Sequence, residues 1–389
     1  MSLAETVQGA RKYIIAFVVF VVMVIIIQQG LSVIGRATAR RTPAVLPNTG
    51  QVISAANAPD ISAGAITVTN KPEYLVSTEF TDIRVAEVNA IRIAEPRVKL
   101  PSDDKAIAVA GRLGFEAEPA RTDEKLSWQE GSKSMEYLRI LDRWIYTDSS
   151  VAPTDNTVFS GRPSSYISQA ESLFESLGIA SSFLDFNTLE VDYLVEKDGQ
   201  FVSANSPGST QFIKLRVYRK FNPVPGAGQE NNSKNELAVR SIRQSWFKAP
   251  LEIVLTTNSS TRFDERYIRS LEYANWEFVD DGSKVPVLSP AQAWDKVKAG
   301  DGALKELTEI GFNRYVQSRI SSREVLSFTA DPQGVEIAYL EPENWRDYML
   351  PVYVFRGRAR AGTAGSTSAQ DNADFVYYVL AVDYDKIKL

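Results

Sequence analysis

The sequence predicts an α+β fold, in which a single N-terminal transmembrane helix is followed by tandem modules of one helix and an antiparallel sheet. Three observations predict it. Residues 13–34 form an almost unbroken apolar run. Two later helical patterns both end in the order Leu-Gly-apolar, at Leu113-Gly114-Phe115 and at Leu177-Gly178-Ile179. Each of them leads into sequence that alternates between apolar and polar residues, which is typical of half-buried strands.

The apolar run has the length of a membrane anchor. A helix needs about 20 apolar residues to cross the hydrocarbon core of a bilayer, and residues 13–34 supply that length. A cleaved signal peptide is the alternative, but its apolar region is shorter, roughly 7–15 residues. Its nearest small-residue cleavage site, at 37–39, lies among arginines. We therefore expect a retained anchor that contacts the lipid bilayer.

The basic residues on the two sides of the apolar run are nearly equal in number, so they do not fix its orientation in the membrane. Arg11 and Lys12 precede it, whereas Arg36, Arg40 and Arg41 follow it. A short tail before one span and a long body after it is the layout of a signal anchor. We expect a single-pass membrane protein with a cytoplasmic amino terminus and an extracytoplasmic body, in the periplasm or at the cell surface of a bacterial envelope.

Composition excludes several classes of chemistry. The chain has 389 residues with no cysteine and no histidine. Disulfides, thiolate nucleophiles, cysteine or histidine metal sites and imidazole catalysis are therefore excluded. The formal net charge of -5 leaves no basic surplus to neutralise phosphates, which argues against nucleic acid as a partner. We predict no cofactor, no metal site and no catalytic residue.

Five segments are predicted along the chain. The linker is rich in Ala and Pro and has no sustained hydrophobic period, so it cannot bury enough apolar surface to offset its ordering entropy. The long loop of the second module is polar and rich in Gly and Pro. The segments are a tail and anchor (1–36), a linker (37–65), a first α+β module (66–160), a second α+β module with a long loop at 222–236 (161–248) and a C-terminal α+β module (249–389).

Local signals mark the helices and turns of these modules. Ser102 and Ser289 are expected to cap the first and third helices, and Pro290 suits a first helical position. Glycines are expected to end the three helices, namely Gly114, Gly178 and Gly300. Asp198-Gly199 predicts a tight hairpin, because this pair favours the positive φ angles that such a turn needs.

The C-terminal third combines Ser-x-x-x-Ala-Trp at a helix start (residues 289–294), Gly300 at the helix end, a strand with Tyr339, and the strand Leu-Pro-Val-Tyr-Val-Phe at 350–355. In these features it resembles PepSY-like extracytoplasmic regulatory proteins of the YycH/YycI kind. The resemblance implies a single span, a multi-module α+β body outside the membrane and a protein-binding role. It supplies no active-site residues, and the 222–236 insertion departs from the pattern.

Few residue patterns suggest catalysis. Ser102-Asp-Asp-Lys105 has the spacing of a lysine-activated serine, but the companion motifs are absent and a helix start explains it better. Three close pairs of carboxylates could serve glycoside hydrolysis or calcium binding, although turns and solvated loops explain them more simply. These pairs are Asp280-Asp281, Glu341-Pro-Glu343 and Asp383-Tyr-Asp385.

Aromatic residues crowd the final strands and form the candidate interaction surface. Strand alternation places Tyr353 and Phe355 on one face and sets Tyr378 opposite Tyr377. These side chains could be buried under neighbouring elements, or they could form an exposed ledge that anchors a partner. The candidate residues are Trp345, Tyr348, Tyr353, Phe355, Tyr377 and Tyr378.

Together these observations predict a non-enzymatic, membrane-anchored protein. It would bind another envelope or membrane protein and regulate it through antiparallel sheet surfaces. One alternative is a carboxylate-dependent hydrolase of cell-wall glycan. Another is a structural subunit of an envelope, secretion or surface-appendage complex.

Overall fold

The structure is a computed structural model, and it describes thirteen stretches of the chain. Every described residue belongs to one compact unit, Asn48–Leu389. The stretches are 60–80, 87–93, 100–153, 163–179, 184–204, 209–221, 239–245, 248–256, 263–279, 284–309, 322–343, 347–362 and 373–383.

Strands dominate these residues. The helices are α1 (Leu100–Arg112), α2 (Ile167–Leu177) and α3 (Pro290–Ala299), with 3-10 turns at Pro163–Tyr166 and Glu265–Tyr267. The strands are β1 (Thr67–Val68), β2 (Glu73–Val76), β3 (Glu87–Asn89), β4 (Ile91–Ile93), β5 (Ala120–Arg121), β6 (Lys125–Glu130), β7 (Lys133–Leu138), β8 (Arg143–Asp148), β9 (Leu184–Lys197), β10 (Gln200–Ser203), β11 (Phe212–Phe221), β12 (Val239–Ile242), β13 (Leu251–Leu255), β14 (Ile268–Ala274), β15 (Phe278–Val279), β16 (Lys284–Pro286), β17 (Ala303–Glu309), β18 (Ser322–Leu340), β19 (Tyr348–Met349), β20 (Pro351–Gly362) and β21 (Ala373–Leu380).

One mixed sheet of 16 strands runs through the described residues. Its main path is β17-β21-β20-β18-β12-β11-β13-β14-β8-β7-β6-β5. The short strand β12 joins two halves of this sheet, because it pairs antiparallel with β11 on one side and parallel with β18 on the other. We call the strands from β18 to β17 the α3 half and those from β11 to β5 the α1–α2 half.

The expected tandem modules are therefore wrong as a description of the fold. Strand β8 of the predicted first module pairs with β14 of the predicted C-terminal module, as at Trp144 and Tyr273. Strand β11 of the predicted second module pairs with β13, as at Leu215 and Ile253. Strands distant in sequence thus share one sheet, whereas the modular prediction had paired each helix only with the strands that follow it.

The predicted anchor is also corrected. Among the residues that the structure describes, no helix combines the length and the apolar character needed to cross a bilayer. This finding stands against the transmembrane helix, the signal anchor and the single-pass membrane localisation that the sequence had suggested. The predicted span itself, residues 13–34, lies outside the described residues, as do the long loop 222–236 and most of the linker.

Each half of the sheet has its own core. Trp294 of α3 is fully buried and lies 5.0 Å from Phe355 between ring centroids. In the α1–α2 half, Phe174 of α2 and Leu113 of α1 belong to the same buried cluster as Trp144 of β8. The core of the α3 half also extends across the junction, because it includes Val239 of β12, Phe221 of β11 and Ala274 of β14.

Several local predictions are confirmed. Ser289 and Gln292 form a reciprocal capping box at the start of α3, and Gly300 ends that helix with φ of 94°. Gly178 ends α2 in the left-handed conformation. Asp198 and Gly199 both have positive φ in the β9–β10 hairpin. Helix α1 differs, because it begins at Leu100 rather than after Ser102.

The last residues of the predicted linker are held against the sheet. The Gln244 side-chain amide donates to the carbonyl of Asp60 at 2.6 Å, and the Lys305 ammonium donates to the carbonyl of Ala63 at 2.6 Å. The Ile66 amide donates to the carbonyl of Leu304 in β17 at 2.8 Å, while β1 directly after it pairs with β18. The segment from Asp60 to Val68 therefore contacts both β17 and β18, which are the two outer strands of the α3 half.

Candidate functional site

The aromatic residues predicted as an interaction surface are mostly interior. Tyr353, Phe355 and Tyr377 belong to the core of the α3 half, and Tyr378 is buried on the opposite face, as strand alternation predicted. The Tyr353 hydroxyl donates to the carbonyl of Leu288 at 2.7 Å. These four side chains build the sheet and do not form an exposed ledge.

The other two candidates are Tyr348 and Trp345. Tyr348 in β19 is half-buried and packs at the edge of the same apolar cluster. Trp345 lies outside the described residues. Among the carboxylate pairs, Asp280-Asp281 and Asp385 are also outside them, whereas Glu341 and Glu343 are described and border a cleft.

This cleft lies where four strands end at the junction of the two sheet halves. Arg143 begins β8, and Ala274 ends β14 with Trp276 shortly after it. Arg243 follows β12, and Glu341 follows β18. We call it the junction cleft, and its other lining residues are Leu141, Pro342 and Glu343.

Glu272 of β14 holds the cationic side of the cleft together. Its Oε1 accepts hydrogen bonds from Arg143 Nη2 and, at 2.5 Å, from Arg243 Nη1, and Lys248 Nζ lies 3.6 Å from its Oε2. Burial acts to raise the pKa of the Glu272 carboxyl, but the charge and hydrogen bond of Arg243, with Lys248 and Arg143, lower it to about 2. Glu272 is therefore an anion at neutral pH, and it fixes the two guanidinium groups side by side.

The lining residue Glu341 belongs to an almost completely buried ion pair. Arg219 is 0% exposed and Glu341 is 2% exposed, and Arg219 Nη1 donates to Glu341 Oε1. Arg219 Nη2 donates to the carbonyl of Ala274, and its guanidinium lies 5.0 Å from the ring centre of Phe278. The second carboxylate oxygen, Glu341 Oε2, is buried and has no hydrogen-bond partner. Glu341 thus carries one unsatisfied acceptor.

Glu343 lies at the mouth of the cleft and is held loosely. Its Oε2 is 3.8 Å from Arg143 Nη1 and 3.9 Å from Arg243 Nη2, and its side chain is 47% exposed. Both distances exceed those of hydrogen bonds between charged groups, about 2.7–2.9 Å. Exposed ion pairs of this length contribute little to stability. The two guanidiniums therefore face a counter-ion that solvent can easily replace.

The space inside the cleft is small. The free volume inside the cleft is about 10 Å³, room for about one water molecule. Glu272 cannot serve as a general acid near neutral pH, because its pKa is near 2. In the part of the chain that the structure describes, no group of three or more acidic side chains is arranged to hold a metal ion. What the cleft offers is a pair of oriented guanidinium groups.

Sequence reasoning identified only the Glu341-Pro-Glu343 pair among these residues. Arg143, Arg219, Arg243 and Glu272 come from four separate strands or strand ends, and no local spacing links them. The one available signal was the presence of arginine and glutamate within strands, as at Arg219 in β11. Such residues must be paired when buried, but the partner cannot be read from the sequence.

Comparison with known proteins gives little to add to this geometry. No family model matches the chain, and no curated protein matches it. A solved structure of an uncharacterised protein from Eubacterium rectale aligns with 81% of this chain and 90% of its own, at 15% sequence identity and a TM-score of 0.35. A resemblance at that level carries no argument about fold or function.

Proposed function

We propose that this protein acts by binding another protein, without catalysing a reaction, and that the partner docks over the junction cleft. The observation that carries the proposal is the pair Arg143 and Arg243, fixed side by side by Glu272 and facing the surface behind a loosely held Glu343. Arginine is enriched where proteins contact each other, because its planar guanidinium makes several directed hydrogen bonds.

Apolar surface beside the arginines supports the same function. Trp276 and Leu141 line the cleft, and Ile140 next to Leu141 is 48% exposed. Aromatic and apolar side chains next to directed polar groups are the usual composition of a binding patch. The cleft also lies where two sheet halves meet, which is a common position for binding sites. The PepSY-like resemblance of the C-terminal third implies a protein-binding role as well.

Hydrolysis and a structural-subunit role draw no comparable support from the described residues. A glycosidase needs one carboxyl that is protonated near its working pH and a groove that fits a sugar ring. Glu272, which holds the two lining arginines, is ionised, and the free volume inside the cleft is that of about one water molecule. The aromatic strands that were expected to present a sheet surface are interior, so the proposed contact moves from the sheet face to the strand ends at the junction.

Site-specific photo-crosslinking tests the proposal. A benzoylphenylalanine placed at the half-exposed Ile140, beside the cleft, is expected to capture a discrete partner in the source cells. The same group at Lys298, which is 44% exposed on α3 and is not among the residues that line the cleft, is the matched control. Capture from position 140 and not from 298 supports the proposal. Equal capture from both positions, or none from 140, contradicts it.

A further inference from the structure

We propose that the junction cleft recognises a carboxylate of the partner polypeptide, and that Glu343 occupies the place of that carboxylate in the unbound protein. The ligand group is an Asp or Glu side chain or a free carboxyl terminus. This inference rests on the proposed function and specifies the chemistry of the same site. It makes Glu343 an internal competitor that the partner displaces.

The two arginines define the position of the carboxylate. Arg143 Nη1 and Arg243 Nη2 both approach the same atom, Glu343 Oε2, at 3.8 Å and 3.9 Å. The backbone of Glu343 lies two residues beyond the buried Glu341, which limits how far its carboxylate can follow the guanidiniums. A carboxylate on a separate chain has no such tether, so it can close to about 2.8 Å and form charge-assisted hydrogen bonds.

Further features of the cleft favour a polypeptide over a simple anion. Trp276, Leu141 and Pro342 add apolar wall, which suits a side chain next to the carboxylate. Phosphate alone has no apolar part for this wall.

Displacement of Glu343 is required because the cleft is nearly full. Its free volume accommodates about one water molecule while Glu343 is in place. The Glu343 side chain is about half in solvent, so moving it outward costs little desolvation. Removing its charge is therefore expected to strengthen carboxylate binding, since an internal competitor reduces apparent affinity by the fraction of time it occupies the site.

The test uses two blocked dipeptides, acetyl-Leu-Glu-amide and acetyl-Leu-Gln-amide, titrated into the full chain. The readout is the indole N–H resonance of Trp276, assigned with Trp276→Phe. We expect Glu343→Gln to bind the Glu dipeptide about 10-fold more tightly than the unmodified protein. Glu136→Gln, which removes an exposed carboxylate from β7, is the matched control and should leave the affinity unchanged. Adding Arg143→Gln to Glu343→Gln should abolish the gain.

Three results would overturn the inference. They are unchanged or weaker binding of the Glu dipeptide by Glu343→Gln, equal binding of the Gln dipeptide, and inorganic phosphate shifting the Trp276 resonance as effectively as the Glu dipeptide. If one of these occurs while position 140 still captures a protein, the carboxylate inference fails and the binding function stands. If position 140 captures nothing, the binding function itself fails.

Discussion

Arg219 and Glu341 form a buried ion pair that bridges the two halves of the sheet. Arg219 lies in β11 of the α1–α2 half, and Glu341 directly follows β18 of the α3 half, 122 residues away in sequence. Only β12 lies between those strands in the sheet. The pair therefore links the two halves of the sheet across β12, and its carboxylate residue Glu341 lines the cleft.

Breaking this pair should be costly. Glu341→Gln leaves a guanidinium buried opposite a neutral group, and removal of one partner of a buried ion pair typically costs about 3–5 kcal/mol. Urea denaturation measures the loss of unfolding free energy. Glu118→Gln is the control, since its pair with Arg121 is exposed and should be worth less than about 1 kcal/mol. A small, equal effect for both variants would show that the buried pair does not hold the junction.

Acid should destabilise the protein through Glu272. Its pKa is about 2 in the folded chain and 4.5 in the unfolded one, so the unfolded state binds the proton first as pH falls. The stabilisation is complete above pH 4.5 and is lost between about pH 4.5 and pH 2, with a total of about 3 kcal/mol. Unfolding free energies of the unmodified protein and Glu272→Gln should therefore converge over that range. Parallel pH profiles would contradict the assignment.

Raising the pH above neutrality should stabilise the protein through Lys305. Burial lowers the pKa of its ammonium from 10.5 to about 8, and Asp60 opposes this only in part. Above pH 8 the folded chain releases the proton while the unfolded chain keeps it, so stability should rise from about pH 8 to pH 10. Lys305→Met, compared with the unmodified protein by thermal unfolding at several pH values, should flatten this rise. An unchanged slope in the variant would exclude Lys305 as its source.

Alanine substitutions at two glycines should change the unfolding free energy in opposite directions. A Cβ on Gly357 in β20 would overlap the carbonyl oxygen of Thr329 and lie 2.9 Å from the Phe375 ring, so Gly357→Ala should destabilise by about 1–3 kcal/mol. Gly111 in α1 has open space at the same position, so Gly111→Ala should stabilise by about 0.5–1 kcal/mol. Denaturant unfolding of both variants measures the difference. The same sign for both would contradict this packing.

The parts of the fold that sequence predicted are those that depend on neighbours along the chain. The capping box of Ser289 and Gln292 and the hairpin at Asp198-Gly199 each involve residues within a few positions. The order of strands does not, because Trp144 pairs with Tyr273 and Ser241 with Tyr339 across long separations. The modular prediction failed at this point, since alternation shows that a strand exists and not which strand it joins.

The sequence did not reveal the junction cleft for a related reason. Glu341 and Glu343 were visible as a close pair of carboxylates, but their meaning depends on Arg143, Arg219 and Arg243, which reach them only through the sheet. Charged residues that are buried in strands require partners, and the arrangement of the strands in the sheet determines which residues those partners are. The aromatic ledge was misplaced because the same alternation that groups Tyr353 with Phe355 fits a buried face equally well.

Competition at the cleft tests the central claim most directly. The photo-crosslink from position 140 is measured in the presence of acetyl-Leu-Glu-amide or acetyl-Leu-Gln-amide, with partner capture as the readout. If the partner enters the junction cleft through a carboxylate, the Glu dipeptide suppresses capture in a dose-dependent way and the Gln dipeptide leaves it intact. Capture that persists at saturating Glu dipeptide, or falls equally with both peptides, would contradict the account.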